Sequence, residues 1–186
     1  PNTTNIGLEN TDITTNERGA IVVNDTCESS VPGVYAVGDV NGGPQFTYIS
    51  LDDFRIVFGA LTGNGHYTLK DRKNIPYTTF LTPPLARVGL TEEDAINKGY
   101  TVKTKEMLVA TMPRAHVNDN LKGAFKIVVD AESNLILGAT LYSQSAEELI
   151  NMIKVAMDNN IPYTYFKNQI FTHPTMAENL NDLCNF

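Results

Sequence analysis

The chain of 186 residues is long enough for one large domain or two small ones, and its 42% hydrophobic and 19% charged residues are ordinary for a globular protein. A formal net charge of −7 argues against nucleic acid and anionic membranes as partners, because both select basic surfaces. No apolar run approaches the roughly 20 residues of a membrane-spanning helix, and the N-terminus has neither the basic start nor the apolar core of a signal peptide.

The N-terminal part of the chain predicts two short strands after an irregular start. Residues 1–20 are rich in Asn and Thr and are predicted to form a loop. Residues 20–23 and 34–37 are short apolar runs rich in β-branched side chains, and the second run is typical of a buried strand. This second strand is predicted to end at Gly38-Asp39.

A helix is predicted to follow over residues 47–61, and Gly63 ends it, as glycine commonly does after a helix. Ligands of α/β proteins bind where strand ends meet helix N-termini, so Asp39 and the start of this helix are expected to share one crevice. The apolar positions that give this segment its helical pattern are Ile49, Phe54, Val57, Phe58 and Leu61.

Beyond a polar boundary at residues 62–75, the chain is predicted to form an antiparallel sheet with helices, which is an α+β domain. Thr91 with Asp94 has the spacing of a capping box and starts a helix to about residue 98. The predicted strands span residues 77–81, 86–90, 101–111, 124–130 and 135–142, with a hairpin turn at residues 132–134.

A longer helix is predicted through residue 157, again from a capping-box spacing, here Ser145 with Glu148. Its pattern indicates a broad apolar face. The residues of that face are Leu149, Ile150, Ile153 and Val155.

Near the C-terminus lies His173-Pro174-Thr175, with Glu178 three residues further on. Proline pushes the preceding residue into an extended conformation, and Thr175 with Glu178 has the spacing of a capping box that opens a short helix. The carboxylate could therefore reach the imidazole and hold it as an oriented base. By spacing alone the structural interpretation, a turn histidine before a capped helix, is favoured, because short patterns produce many chance matches.

The two cysteines, Cys27 and Cys184, lie far apart and match no Cys-x-x-Cys pattern, so a reducing, cytoplasmic setting is the default. Cys184 is interpreted as an incidental thiol, because one cysteine cannot form a redox pair within a chain and reactivity requires an electropositive setting. His66 and His116 are isolated and are expected in surface loops, so no metal site is predicted.

Two stretches resemble the FAD-dependent pyridine nucleotide-disulfide oxidoreductases, the family of glutathione reductase and dihydrolipoamide dehydrogenase. Residues 30–40, Ser-Val-Pro-Gly-Val-Tyr-Ala-Val-Gly-Asp-Val, are similar to the second FAD fingerprint of that family. His173-Pro174-Thr175 with Glu178 is similar to its C-terminal acid–base pair. Segments between residues 84 and 150 are similar to its dimerisation domain, so the likeness covers nearly the whole chain in the right order.

The resemblance implies that residues 1–70 finish a FAD-binding α/β domain and that residues 71–186 form a dimerisation domain through which a homodimer assembles. Gly38 and Asp39 would contact FAD, with the Asp39 carboxylate on a ribityl hydroxyl. The helix start at Phe46 and Thr47 would point at the flavin pyrimidine ring, where N–H groups and the helix dipole stabilise negative charge. Residues 45–48 depart from the usual family pattern, although a backbone role tolerates that change.

In such enzymes electrons pass from NAD(P)H to FAD to a cysteine pair and then to a small sulfur-containing substrate. The resemblance makes His173 the acid–base group of the thiol chemistry in the other subunit, makes Glu178 its orienting partner, and implies a cis His173–Pro174 bond. The glycine-rich N-terminal loop, the redox dithiol and the NAD(P)H domain of the family are absent from these residues. We therefore expect the C-terminal part of a longer oxidoreductase, which alone neither retains FAD nor turns over.

Other interpretations stay open. The chain could be a binding module that only dimerises, with its His-Pro segment kept for packing. Within the enzyme class, the branch related to hypothiocyanous acid reductase and the dihydrolipoamide dehydrogenases both fit. Exposure of His173 at the surface favours catalysis, whereas burial in its own domain favours packing.

Overall fold

A computed structural model describes residues 1–186 and divides them into two compact units, residues 1–73 and 74–186. The second unit contains a five-stranded antiparallel sheet with helices, which confirms the predicted α+β class. None of the helices combines the length and the apolar character that a membrane span requires.

The first unit is built around one long helix, α1 (Thr47–Thr62), as the sequence predicts. The helix begins after Phe46 and ends at Gly63, which adopts φ +71° and donates its N–H to the carbonyl of Gly59. Short 3-10 turns make up the other helical segments, at Leu8–Asn10, Gly38–Asn41 and Leu69–Asp71.

Both strands predicted in this unit are wrong. Residues 20–23 and 34–37 form only isolated bridges, such as Thr15 with Ile21 and Glu28 with Tyr35. The segment between them turns sharply, with Cys27 at φ +64° and Gly33 at φ +81°, so the pairing cannot extend into a ladder. The run at 34–37 has no neighbouring strand to pair with and is not a buried strand. Its two valines are exposed.

The buried face of α1 also differs from the one that its apolar pattern suggests. Phe54 and Phe58 are 54% and 57% exposed, and their rings pack against each other at 5.7 Å. Of the apolar positions in that pattern only Ile49 is buried, together with Ile56 and a charged residue, Asp53. The helix is turned this way because Asp53 has polar partners within the unit, described below.

The sheet of the second unit has the strand order β1-β2-β5-β4-β3, and every neighbouring pair is antiparallel. Strand alternation sends Phe125, Ile127 and Val129 of one strand into the core. The predicted hairpin turn at 132–134 is present, and the Asp130 carboxylate accepts hydrogen bonds from backbone N–H groups of the turn. The strands are β1 (Tyr77–Thr79), β2 (Leu85–Gly89), β3 (Val102–Leu108), β4 (Ala124–Asp130) and β5 (Ile136–Tyr142).

Five helices complete this unit, and all but the first contribute buried residues to its hydrophobic core. Thr91 caps the first of them as predicted, with the Asp94 N–H donating to its hydroxyl at 3.0 Å. The helices are α2 (Glu92–Asn97), α3 (Pro113–Val117), α4 (Ala146–Asp158), α5 (Tyr163–Asn168) and α6 (Asn179–Leu183).

Helix α4 departs from its prediction at two points. Ser145 does precede the helix, but it lies at φ +65° and its side chain makes no cap; its backbone carbonyl accepts the N–H of Glu148 instead. Val155 is 57% exposed rather than part of the buried face. Ala156 is buried in its place, since the true stripe follows the 3.6-residue period from Leu149.

Candidate functional site

The His173–Pro174 peptide bond is cis, as predicted, and it lies in the segment between α5 and α6. His173 Nδ1 lies 2.8 Å from Glu178 Oε2. The imidazole is exposed over 67% of its side-chain surface, whereas the glutamate is only 19% exposed. The structure therefore brings these two residues together, with the ring presented at the surface of its own unit.

The second oxygen of Glu178 holds the turn that follows the histidine. Oε1 accepts the N–H of Thr175 at 3.0 Å, and the N–H of Glu178 donates to the Thr175 hydroxyl at 3.2 Å. These are the two bonds of a capping box, yet residues 175–178 form a turn and the helix begins only at Asn179. The predicted N-cap, Thr175, therefore lies three residues before the observed one, Glu178, because the first bonds here connect residues three apart, as in a 3-10 turn.

The charge state of Glu178 decides how the imidazole is held. Burial opposes ionisation of this carboxyl, but the hydrogen bonds from His173 and from the Thr175 N–H, with the charge of the imidazole, lower its pKa below the usual value. An ionised carboxylate can only accept hydrogen bonds, so Nδ1 of His173 must be the donor. Nε2 is left as the ring nitrogen free to exchange a proton with another molecule.

Three side chains that sequence reasoning missed hold this turn or the C-terminal segment that follows it. Asn179 is buried, and its Nδ2 donates to the carbonyl oxygens of Thr175 and Met176 at 3.2 and 3.1 Å. Asn181 donates to three carbonyl oxygens at the C-terminal end of α5, at 2.7, 3.3 and 2.9 Å. Lys105 of β3 donates to two carbonyl oxygens of the C-terminal segment, at 2.7 and 2.6 Å. Of these three, only the two asparagines that follow Glu178 could have been found from the sequence, since Asn side chains commonly bond nearby backbone groups.

In the first unit, Gly38 and Asp39 form a 3-10 turn packed on α1. Gly38 is buried at φ +70°, and a Cβ atom there would lie 2.5 Å from Ser50 Oγ. Only glycine lets the turn come this close to the first part of the helix. Asp39 is exposed, with Phe46 at the N-cap of α1 and Thr47 as its first residue.

These residues fit the flavin that the resemblance implies. The Asp39 carboxylate is a hydroxyl acceptor, and the first turn of a helix has N–H groups without partners inside the helix. The close approach at Gly38 brings the turn against that end of α1. Sequence reasoning missed Asp53, whose buried carboxylate accepts the N–H of Gly38 at 2.7 Å.

Both cysteines are buried and carry no disulfide. Burial raises the pKa of Cys184 to about 12, although the charge of Lys105 opposes the shift. Burial, with the charge of Asp53, raises the pKa of Cys27 to about 11. The incidental-thiol interpretation of Cys184 agrees with this setting, because thiolates and not thiols are reactive.

The two other histidines lie apart from this chemistry. His66 lies in an exposed loop as predicted, but His116 belongs to α3, with Nε2 2.8 Å from the carbonyl of Ala110. Its prediction as a loop residue is wrong, because Pro113 starts a helix there. No group of three His, Cys, Asp or Glu side chains is arranged to hold a metal ion.

Comparison with known proteins identifies the family to which the chain is similar. The pyridine nucleotide-disulphide oxidoreductase dimerisation domain matches residues 75–184, and a second model of the same oxidoreductases matches residues 1–53. The probable pyridine nucleotide-disulfide oxidoreductase RclA of Escherichia coli is 48% identical over 183 residues, which are 98% of this chain and 42% of that protein. A solved structure described as the HOCl-induced flavoprotein disulfide reductase RclA matches 99% of this chain and 42% of its own, with a TM-score of 0.96 and 47% identity.

More distant relatives belong to the same oxidoreductases. Mercuric reductase of Staphylococcus aureus is 34% identical over 180 residues, covering 97% of this chain and 33% of that protein. Dihydrolipoyl dehydrogenase of Mycobacterium bovis is 31% identical over 182 residues, covering 98% of this chain and 39% of that protein. The chain thus spans less than half the length of these relatives. With a dimerisation-domain match from residue 75 to residue 184, the chain belongs to the pyridine nucleotide-disulphide oxidoreductase family, whose members use FAD and a pyridine nucleotide.

Proposed function

We propose that the chain is the C-terminal part of a flavoprotein disulfide oxidoreductase, which passes electrons from NAD(P)H through FAD to a disulfide or related sulfur substrate. The observation that supports this most strongly is the His173–Glu178 pair, with Nδ1 held at 2.8 Å and the ring 67% exposed. A histidine kept only for packing would bury its ring instead. The alternative, a module that only dimerises, has no use for an oriented exposed imidazole.

His173 acts as the acid–base group of the thiol chemistry. Histidine changes its charge near neutral pH, so Nε2 can take a proton from an attacking thiol and return it to the leaving one. Removing that proton matters because the thiolate is the nucleophile. Glu178 orients the ring through Nδ1, and Thr175 keeps the carboxylate in place.

Asp39 and the start of α1 hold the flavin, with Gly38 permitting the close approach. The Asp39 carboxylate accepts a ribityl hydroxyl, and the backbone at Phe46 and Thr47 faces the pyrimidine ring. When bound, FAD supplies the two-electron transfer between pyridine nucleotide and dithiol. On this proposal residues 1–70 complete the FAD-binding domain.

Residues 71–186 form the dimer interface, and the His–Glu pair of one subunit serves the active site of the other. The proposal is supported by the family match of residues 75–184, which is a dimerisation domain. The substrate is a small sulfur compound, in agreement with solved structures of a flavoprotein disulfide reductase to which this chain is similar. Unpaired buried thiols agree with a cytoplasmic setting.

The acid–base role is tested with His173→Ala in the complete enzyme that contains this chain. We expect disulfide turnover to slow about 10²- to 10⁴-fold, whereas stopped-flow reduction of the flavin by NAD(P)H stays close to that of the wild type. His116→Ala, which removes another exposed histidine, is the control and leaves both rates unchanged. If the His173 variant turned over at the wild-type rate, the His173–Glu178 pair would have no acid–base role in the reaction.

We further propose that residues 1–186 alone neither retain FAD nor turn over. One helix, its preceding turn and its flanking loops cannot enclose a flavin, which binding sites of this kind bury by most of its surface. The purified chain is expected to show no flavin absorbance after gel filtration with excess FAD. A stoichiometric yellow complex would contradict this expectation.

A further inference from the structure

A buried carboxylate lies directly beneath the turn that carries Asp39. Asp53 of α1 has no solvent exposure, which is unusual for an ionised side chain and costs stability unless the group is paired and hydrogen-bonded. The carboxylate lies one helical turn beyond Ser50, the residue that Gly38 contacts. The sequence offers no cofactor or catalytic role for it.

One oxygen of Asp53 holds both ends of the turn. Oδ2 accepts the backbone N–H of Gly38 at 2.7 Å and the side-chain amide of Asn41 at 2.9 Å. Gly38 and Asn41 are the first and last residues of the 3-10 turn, so these two bonds bracket Asp39. The bonds leave the Asp39 side chain outside the network and exposed.

The Asn41 side chain also forms hydrogen bonds with the backbone before and after the turn. Its Nδ2 lies 3.3 Å from the carbonyl oxygen of Ala36, before the turn, and its Oδ1 accepts the N–H of Gly43 at 3.0 Å, after it. The carbonyl oxygen of Val40 also accepts the N–H of Ile21 at 2.9 Å. The backbone on either side of Asp39 is therefore tied to neighbouring segments.

The charge of Asp53 is balanced from outside the turn. Its other oxygen, Oδ1, pairs with the guanidinium of Arg72, which is only 10% exposed. Arg72 Nε also donates to Asp52 at 2.8 Å. Asp52 thus shares the arginine but accepts no hydrogen bond from residues 38–41, which makes it a matched comparison for Asp53.

We propose that Asp53 and Asn41 are positioning residues for FAD, which set the Gly38–Asn41 turn so that the Asp39 carboxylate meets the cofactor. The inference rests on the proposed role of Asp39 as a flavin ligand. Arg72 makes it possible to keep an ionised carboxylate at this depth, since a buried charge without a partner is strongly destabilising. The network acts through Asp39 and does not itself touch the flavin.

The test uses the complete flavoenzyme, from which FAD is first removed. The apoprotein is then titrated with FAD, and flavin fluorescence gives the dissociation constant. Because Asp53→Asn removes one of the two counter-charges of the buried Arg72 and endangers folding, Asn41→Ala is the main variant. We expect Asp39→Asn to weaken FAD binding about 10-fold or more, as for a lost hydrogen bond to a charged group, and Asn41→Ala about 3- to 10-fold. Asp52→Asn, the control, stays within about 2-fold, and the urea midpoint of each apoprotein reports folding separately.

The double variant Asp39→Asn/Asn41→Ala separates positioning from general destabilisation. If Asn41 acts through Asp39, the double variant binds FAD within about 3-fold of Asp39→Asn alone, because coupled residues are not additive. Losses that multiply, or an Asn41→Ala affinity equal to that of Asp52→Asn, would overturn the inference while leaving the role of Asp39 intact. Unchanged affinity in Asp39→Asn would instead overturn the proposed flavin contact, and this inference with it.

Discussion

At the scale of single residues, the carboxylate of Glu178 makes two separate structural contacts, one through each oxygen. Glu178 closes a backbone turn through Oε1 and holds an imidazole through Oε2. Each contact favours the ionised form, which is why its pKa is lowered although burial opposes ionisation. The same bonds therefore couple the geometry of His173 to the stability of the turn.

This coupling predicts a pH dependence. A carboxyl whose pKa is lower in the folded than in the unfolded state stabilises the fold above its unfolded pKa of about 4.3, and this contribution disappears as pH falls through the folded value. We expect Glu178→Gln to lower the urea midpoint at pH 7, and the gap from the wild type to shrink between about pH 5 and pH 3. Glu148→Gln, an exposed carboxylate without a hydrogen bond, serves as control. A gap that stays constant over this range would contradict the coupling.

The cysteines give a second prediction at this scale. Because both thiols are buried and their pKa values are raised to about 11 and about 12, hardly any thiolate exists at pH 8. Ellman's reagent should release almost no colour from the native chain within minutes, and two equivalents after unfolding in guanidinium, one for each cysteine. Rapid labelling of one thiol in the native protein would show that Cys27 or Cys184 is accessible.

At the scale of elements, similar sequence patterns gave different outcomes. Thr91 and Ser145 both precede helices with an acidic residue three positions on. The Thr91 hydroxyl caps α2, whereas Ser145 lies in the left-handed region and contributes only its backbone. The preceding chain decides which happens: β5 enters α4 through the tight turn at Ser143, whose carbonyl accepts the N–H of Ala146.

Replacing the two N-cap residues is therefore predicted to change the free energy of unfolding by different amounts. Thr91→Ala should lower the free energy of unfolding by about 1 kcal/mol, the usual cost of a lost N-cap. Ser145→Ala should stay within about 0.5 kcal/mol, since no side-chain cap is lost and both residues strain equally at positive φ. Urea unfolding of the two variants measures the difference. Equal losses would mean that the Ser145 hydroxyl stabilises α4 after all.

At the scale of the whole molecule, the two compact units differ in how much core each one has. Residues 74–186 enclose a continuous hydrophobic cluster between the sheet and helices α4, α5 and α6. The first unit buries few large side chains and leaves Phe54, Phe58 and Leu61 of α1 exposed. A domain needs its own core to fold alone, so the second unit meets that condition better.

We therefore predict that residues 74–186, expressed separately, fold and associate as a dimer. The match to a dimerisation domain over residues 75–184 is the reason to expect twice the mass of one chain by light scattering after gel filtration. Dilution should shift the mass toward the monomer, because a dimer obeys mass action. A folded monomer at every concentration would place the interface elsewhere.

By itself, the sequence determined what local chemistry controls. The periodic apolar spacing of α1 and α4, the glycine that ends α1 and the His-Pro-Thr spacing with Glu178 all act over a few residues, where sterics and nearby hydrogen bonds dominate. The α+β class and the order of the five strands along the chain followed from the same local patterns. His173 with Glu178 was predicted as a contact because only five positions separate them.

Only the tertiary structure decided which partners meet across long stretches of chain. The pairing of Asp53 with Arg72, 19 residues away, turned α1 so that its phenylalanines face outward, against the apolar pattern. Lys105 reaches the C-terminal segment across 77 residues, and no local rule specifies that contact. Residues 20–23 and 34–37 were predicted as strands but form only isolated bridges, because a strand exists only where a neighbour continues the ladder. Each of these contacts depends on the free energy of burying a polar group next to its particular partners in the folded structure. The spacing of residues along the chain carries no information about that free energy.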